Sequence, residues 1–279
     1  MLDEAHATYP AGFPDHPHRG FETGKIYNIF MNKDIWIFSN NITYEYLVTY
    51  QLKGSFSHED SKGNKGILQP GDLQWMTAGK GVVHSEMPIG NEPTRGLQLW
   101  VNLSKQYKMV EPSYQELKDH QIPRNSQNGV HVKVIAGTSM NITSPVYTRT
   151  PMMYLDFKVD QGGSYSQEIP RHWNAFLYIL EGSGTFGPND YPTTASKRQT
   201  VLLTKDNGDF ITFRNDNSEQ LHFVLIAGQP LNEPVVQHGP FVMNTQAEIE
   251  QTFQDYQLGR NGFESARNWQ SDYTKSTRR

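Results

Sequence analysis

The sequence predicts an all-β protein: two tandem antiparallel β-barrels of jelly-roll type, followed by a carboxy-terminal helix. Three observations carry that prediction. Short apolar segments are separated by turn residues at roughly 8–12-residue spacing, the punctuation of barrels and sandwiches. The 279 residues include 23 Gly and 16 Pro to make those turns. A segment near residue 50 is echoed 128 residues later, and helical spacing appears clearly only after Thr245.

Taken in order, Val48-Thr-Tyr-Gln-Leu-Lys53 reads as a strand closed by Gly54. Pro70-Gly-Asp72 is a turn, Leu73-Gln-Trp-Met76 alternates after it, and Gly79-Lys-Gly81 breaks the pattern. Leu97-Gln-Leu-Trp-Val-Asn-Leu103 alternates again. Residues 104–129 are polar and carry Pro112, Pro123 and Asn125-Ser-Gln-Asn-Gly129, so a connection is expected, with one helical turn near Ser113–Leu117. Five β-like segments follow: Met152–Val159, Ala175–Leu180, Thr200–Leu203, Phe210–Phe213 and Leu221–Ile226.

The echo aligns Tyr50-Gln-Leu52-Lys-Gly54-Ser55 with Tyr178-Ile-Leu180-Glu-Gly182-Ser183, and Gly71-Asp72 with Gly208-Asp209. Two copies of one barrel explain it. The predicted domains are 1–118, a connection at 119–129, a second barrel at 130–230, and a tail at 231–279. In the tail, Thr245-Gln-Ala-Glu248 has capping-box form, Ile249, Phe253 and Tyr256 share a face, and Gly259 ends the helix.

Charge is nearly balanced, with 25 Lys+Arg against 29 Asp+Glu, so direct phosphate-driven nucleic-acid binding is not expected. There is no cysteine, which removes disulfides, zinc–thiolate sites, Fe–S clusters and thiol nucleophiles together. No apolar run approaches the ~20 residues of a membrane helix. The first residues show no signal-peptide pattern. A monomer in the cytoplasm or nucleus is expected, although Arg278-Arg279 is too short for a nuclear-localisation cluster.

The chemically interesting residues are His16-Pro17-His18 and His84-Ser85-Glu86. On a strand, positions i and i+2 point the same way, so each pair aims two ligand-type side chains at one point. Three imidazoles and a carboxylate suit a borderline divalent ion such as Fe(II), with room for substrate or O2. A lone His-x-His is weak evidence, and polar side chains on a barrel rim are the bland alternative. The order of Gly12, His16, His18 and Glu22, then Pro70-Gly71 and His84, matches the two cupin motifs.

Longer segments are more specific. Gly12-Phe-Pro-Asp-His-Pro-His-Arg-Gly-Phe-Glu-Thr23, Pro70-Gly-Asp-Leu-Gln-Trp-Met-Thr-Ala-Gly-Lys-Gly81, His84-Ser-Glu-Met-Pro88 and Gly96-Leu-Gln-Leu-Trp-Val-Asn-Leu103 resemble pirins. So do Gly239-Pro-Phe-Val-Met-Asn-Thr245 and Asp255-Tyr-Gln-Leu-Gly-Arg-Asn-Gly-Phe263. The resemblance implies a bicupin with one Fe(II) per chain in the first barrel. The family's ligands carry over to His16, His18, His84 and Glu86, which leaves Glu22 as a supporting neighbour of the ligands. His172 and His222 are expected to be structural, and His58 to lie in a turn on the rim.

Two departures from the pirin pattern stand out. The resemblance implies a few dozen residues ahead of the equivalent of Leu2-Asp3-Glu4. Gly24–Leu47 also interrupts the run from Phe-Glu-Thr into Val48-Thr-Tyr-Gln-Leu52. Of its 24 residues, 17 are Ile, Asn, Tyr, Phe, Lys or Met, types with A/T-rich codons. Its ends can be encoded with a donor and an acceptor whose joining restores a valine codon, so we read it as a translated intron. A genuine loop insertion is the alternative.

The resemblance implies two functions, and the two departures from it add a third reading. The first is a quercetinase-type dioxygenase opening flavonols with O2, with Glu86 as ligand or base; Phe13, Phe21, Trp75 and Met76 are pocket residues or, equally, core residues. The second is a nuclear iron-dependent cofactor that binds a transcription factor without catalysis. The third is an inactive product of the interrupted reading frame.

Overall fold

Residues 2–20, 47–204 and 208–277 are described by this computed structural model. They divide into two units, Met1–Asp119 with Leu231–Arg279, and His120–Pro230. Glu22 and residues 24–46 of the interruption lie outside the described residues.

The first unit opens with β1 (Leu2–Ala7), β2 (Phe13–His18), β3 (Leu47–Lys53), β4 (Ser55–Asp60) and β5 (Lys65–Leu68). β6 (Leu73–Thr77), β7 (Val82–Ile89), β8 (Thr94–Trp100) and β9 (Ser113–Leu117) complete its sheets. One sheet has the order β1-β8-β3-β6-β9 and the other β2-β7-β4-β5. Burial follows the period of two expected of a half-buried strand: in β4, Phe56, His58 and Asp60 are buried while Ser55, Ser57 and Glu59 are half-buried.

The second unit repeats this plan. Its strands are β10 (Arg124–Gln127), β11 (Val130–Ala136), β12 (Thr138–Ser139), β13 (Ile142–Thr143), β14 (Met152–Val159) and β15 (Ser164–Glu168). β16 (Asn174–Glu181), β17 (Ser183–Phe186), β18 (Thr193–Ser196), β19 (Thr200–Leu203), β20 (Phe210–Arg214) and β21 (Leu221–Gly228) follow. The order β10-β11-β14-β21-β16-β19 forms one sheet and β15-β20-β17-β18 the other.

The echo is a structural repeat down to its irregularities. The register of β3 on β8 shifts between Gln51 and Lys53, and that of β16 on β21 between Ile179 and Glu181, the same positions 128 apart. Gly54 and Gly182 follow each bulge with φ of 67° and 70°, a conformation that penalises a Cβ. The Gly-Asp part of the echo needs correcting. Gly71 N–H donates to Gln51 O and Gln51 N–H to Asp72 O. In the second barrel Arg198 N–H donates to Ile179 O and Ile179 N–H to Gln199 O. The equivalent turn is therefore Lys197-Arg198-Gln199, not Gly208-Asp209. Arg198 takes the left-handed conformation (φ 69°) without the glycine that would have marked it.

Ser113–Leu117 is also a correction, being a strand rather than a helical turn. It pairs with β6 from Thr77↔Ser113 to Leu73↔Leu117, because the open edge of β6 offers backbone partners to a segment too short to hold a helix. Likewise the 119–129 connection contains a short 3-10 turn and β10, which pairs with β11.

After the second barrel the chain returns to the first unit. β22 (Val236–His238) and β23 (Phe241–Met243) form a ribbon, followed by α1 (Gln246–Leu258) and α2 (Asp272–Thr277). Thr245 caps α1 with a complete capping box, and Gly259 closes it in the left-handed conformation. Ile249 packs with Val83, Phe241, Met243 and Phe263, so the helix covers the strand that carries His84.

Candidate metal centre

β2 and β7 run antiparallel with His16 opposite His84. The two-residue period puts His18 beside His16 and Glu86 beside His84 on the inward face. His84 Nε2 lies 3.0 Å from His18 Nε2 and 3.0 Å from His16 Nε2. Three imidazole nitrogens gathered in this way would be able to hold one divalent transition-metal ion.

The protonation states agree. Burial lowers the pKa of His16, and burial with the neighbouring imidazoles pushes His18 and His84 well below the ordinary value. Both shifts favour the neutral imidazole, the form that ligates. His16 Nδ1 donates to Pro14 O at 2.8 Å, which leaves Nε2 with its lone pair toward the cluster. His18 Nδ1 is buried without a partner among the described residues.

Glu86 stands outside this group of three nitrogens, which gather within 4.8 Å of one another. Its carboxylate accepts from Thr49 Oγ1 (3.2 Å) and Gln98 Nε2 (3.1 Å). Trp100 Nε1 donates to Gln98 Oε1 at 3.3 Å, which fixes the amide with its NH2 toward Glu86. Burial raises the Glu86 pKa, against the pull of His58 and of these hydrogen bonds.

His58 is not a rim residue in a turn. It sits on β4 opposite Glu86 and is 3% exposed. Its Nε2 lies 3.0 Å from Glu116 Oε1, and Gln74 Nε2 donates to the same oxygen at 2.9 Å. Room for the ring comes from Gly66, where a Cβ would approach His58 Nε2 to 2.5 Å. The alternation of β4 turns His58 inward, and only the pairing of β4 with β5 and β7 shows it.

The far end of β2 is pinned by the tail. Arg19 is 1% exposed. Its guanidinium donates to Asp255 Oδ2 (2.7 Å), Lys80 O (2.7 Å) and Asn261 O (2.5 Å), over the Phe263 ring at 4.7 Å. Burial works against the charged form of Asp255, but hydrogen bonds from Arg19, Gln251, Arg260 and Asn261 outweigh it and lower its pKa.

A narrow cleft lies next to Glu86, lined among others by Phe13, Phe56, Thr49 and Gln98. Of the pocket residues expected, Phe13 lines it. Trp75 pairs with Val48, on the opposite face of the sheet from Thr49, and Met76 joins a cluster with Val82 and Trp100. Phe21 lies outside the described residues. Sequence reasoning passed over Thr49, Gln98 and Arg19. The available signal was polar residues at alternate positions of otherwise apolar strands, Thr49 and Gln51 between Val48, Tyr50 and Leu52, and Gln98 between Leu97 and Leu99.

In the second unit His172 is exposed in a turn, and His222 Nε2 lies 2.6 Å from Asp156 Oδ1. Neither joins a metal-type cluster among the described residues.

Comparison with known proteins agrees with this architecture. The sequence pattern described as "Pirin" matches residues 44–101, and that of the "Pirin C-terminal cupin domain" matches 154–262. The chain is 52% identical to a pirin-like protein of Solanum lycopersicum, over 97% of this chain and 84% of that protein. It is 48% identical to pirin of Homo sapiens, over 97% of this chain and 85% of that protein. Among solved structures, a quercetin 2,3-dioxygenase from Acinetobacter baumannii superposes with a TM-score of 0.76 at 30% identity, covering 92% of this chain and 84% of that one. With relatives near half identity along almost its whole length, and with the two-barrel architecture above, the chain belongs to the pirin family of cupins.

Proposed function

We propose that this protein holds one Fe(II) between His16, His18 and His84 and acts as a quercetinase-type dioxygenase on flavonol-like substrates. The observation that carries the reading is the convergence of three imidazoles, two of them fully buried, at 3.0 Å contacts beside a clamped carboxylate. The 30% identical neighbour that is a quercetin 2,3-dioxygenase supports the substrate class. Fe(II) bound there would supply Lewis acidity toward a substrate oxygen and electron exchange with O2.

The chain's own residues do the rest. Glu86 either completes the ligand set or takes the substrate's hydroxyl proton, since one carboxylate does not do both at once. We assign it the second role, because Thr49 and Gln98 already bond one of its oxygens each. Each of its oxygens keeps lone-pair capacity for an incoming hydroxyl. Phe13 and Phe56 supply the apolar walls of the cleft that exclude water. Glu22 is assigned a supporting place next to the ligands.

The test is anaerobic reconstitution with Fe(II), metal analysis, and O2 uptake with a flavonol. One iron per chain, with O2 consumed in proportion to substrate lost, is the expected result. Iron bound without O2 uptake would leave the non-catalytic, transcription-cofactor reading. No iron bound would overturn both.

A further inference from the structure

Gln51 occupies the wall of the cleft beyond Glu86 and is 0% exposed. Its Nε2 donates to Lys53 O at 2.6 Å and to Gly54 O at 3.2 Å. Carbonyl oxygens only accept, so these contacts fix which end of the amide is the NH2 group. The other end, Oε1, is buried and has no partner among the described residues. An unmet buried acceptor is costly to retain, because it has lost its water. Gly96 lies across the sheet from Gln51, and a Cβ there would come to 3.1 Å from Oε1. The absence of a side chain at Gly96 leaves room beside that oxygen. Glu86, Phe13 and Phe56 line the same cleft.

We infer that Gln51 Oε1 is a specificity determinant that accepts a hydrogen bond from a ligand hydroxyl. The occupant is a planar aromatic held by Phe13 and Phe56, with one hydroxyl at Glu86 and a second on a neighbouring ring at Gln51. Thr49, which holds Glu86, and Gln51 are two positions apart on one face of β3, about 6.6 Å along the strand, roughly the width of one ring. This rests on the flavonol reading and deepens it, since it says which part of the substrate the protein distinguishes: the pendant ring next to the reacting hydroxyl.

The experiment measures dissociation constants, without O2, on the full iron-loaded chain. Two probes are used: a flavonol with two hydroxyls on its pendant ring, and the same flavonol with none. The wild-type protein is expected to prefer the hydroxylated probe by about tenfold, the loss typical of an unmade buried hydrogen bond. Gln51→Leu removes the acceptor but also leaves two carbonyls unmet. Gly96→Ala covers Oε1 without touching the amide's own bonds. Both variants are expected to lose the tenfold preference and to bind the hydroxylated probe no better than the other one. A wild-type protein without preference, or a Gly96→Ala variant that keeps the full preference, overturns the assignment and leaves the flavonol reading standing. An iron-loaded wild-type protein that binds neither probe overturns both.

Discussion

The two barrels share one plan and differ in what fills them. Strand pairing matches them residue by residue. In the first barrel His16 faces His84 and His58 faces Glu86. At the corresponding places in the second, Gln167 faces Ile211 and Phe186 faces Phe213. Two positions past His16 stands His18, and two past Gln167 stands Ile169. The second barrel has thus exchanged the whole cluster for apolar core, except Gln167, whose Oε1 accepts from Ser139 at 2.6 Å. Phe157, Phe186, Phe213 and Phe223 pack there with ring centroids 4.9 to 5.3 Å apart in the contacting pairs. The first barrel instead buries Gln51, Gln74, His58 and Glu86, polar groups that each need a partner to be tolerated. The phenylalanine-filled second barrel shows that this fold does not need such an interior for stability.

The largest expected effect tests that contrast directly. His84→Ala should abolish most iron binding, while His172→Ala in the second barrel should retain it, as metal analysis of the purified variants would show. Equal loss in both would break the comparison.

Next in size is the apolar side. Phe213→Ala should destabilise the second unit by about 3–5 kcal/mol, the range for emptying an aromatic core site. Glu86→Gln, at the matched position, should change stability by less than about 1 kcal/mol while removing O2 uptake with flavonol, because an amide of the same shape remains hydrogen-bonded. Urea midpoints of the two variants make the comparison, and a larger shift for Glu86→Gln would contradict it.

The Arg19 latch belongs to the first barrel alone, since Pro170 takes the matching place after Ile169. Asp255→Asn should lower stability at pH 7 by roughly 3 kcal/mol, as for one partner removed from a buried pair. The Asp255 pKa is lowered from 3.8, so the wild-type contribution is present above that value and fades as pH falls through the lower folded-state value. The gap between wild type and variant should therefore shrink between pH 4 and more acidic conditions. A gap independent of pH would show that packing, not charge, holds the tail.

The smallest effect concerns residues 24–47. Joining Thr23 to Val48 should raise iron per chain and shift the melting midpoint of the first unit up by a few degrees, leaving the second unit unchanged, because ligands need a rigid supporting shell. Calorimetry and metal analysis of both chains would decide it. If neither quantity moves, the segment is a tolerated loop.

Much of this protein was legible in the linear chain because its signals are local. The spacing of His16 with His18 and of His84 with Glu86 follows from the two-residue period of a strand. Thr245, Glu248 and Gly259 announce a helix by filling backbone groups within one turn of themselves. The bulge-glycine echo of Gly54 and Gly182 also depends only on local backbone shape.

What the tertiary structure alone decided is which side chains meet across strands. His58 against Glu116, the amide of Gln51 with one end tied and the other open, Arg19 against a carboxylate 236 residues away, and the repeat turn hidden at Arg198 all depend on register. A register is a property of pairs of strands, and a shift of one residue would turn every side chain to the other face. No single strand contains that information, so the chain states which residues can act, and the pairing states which of them act together.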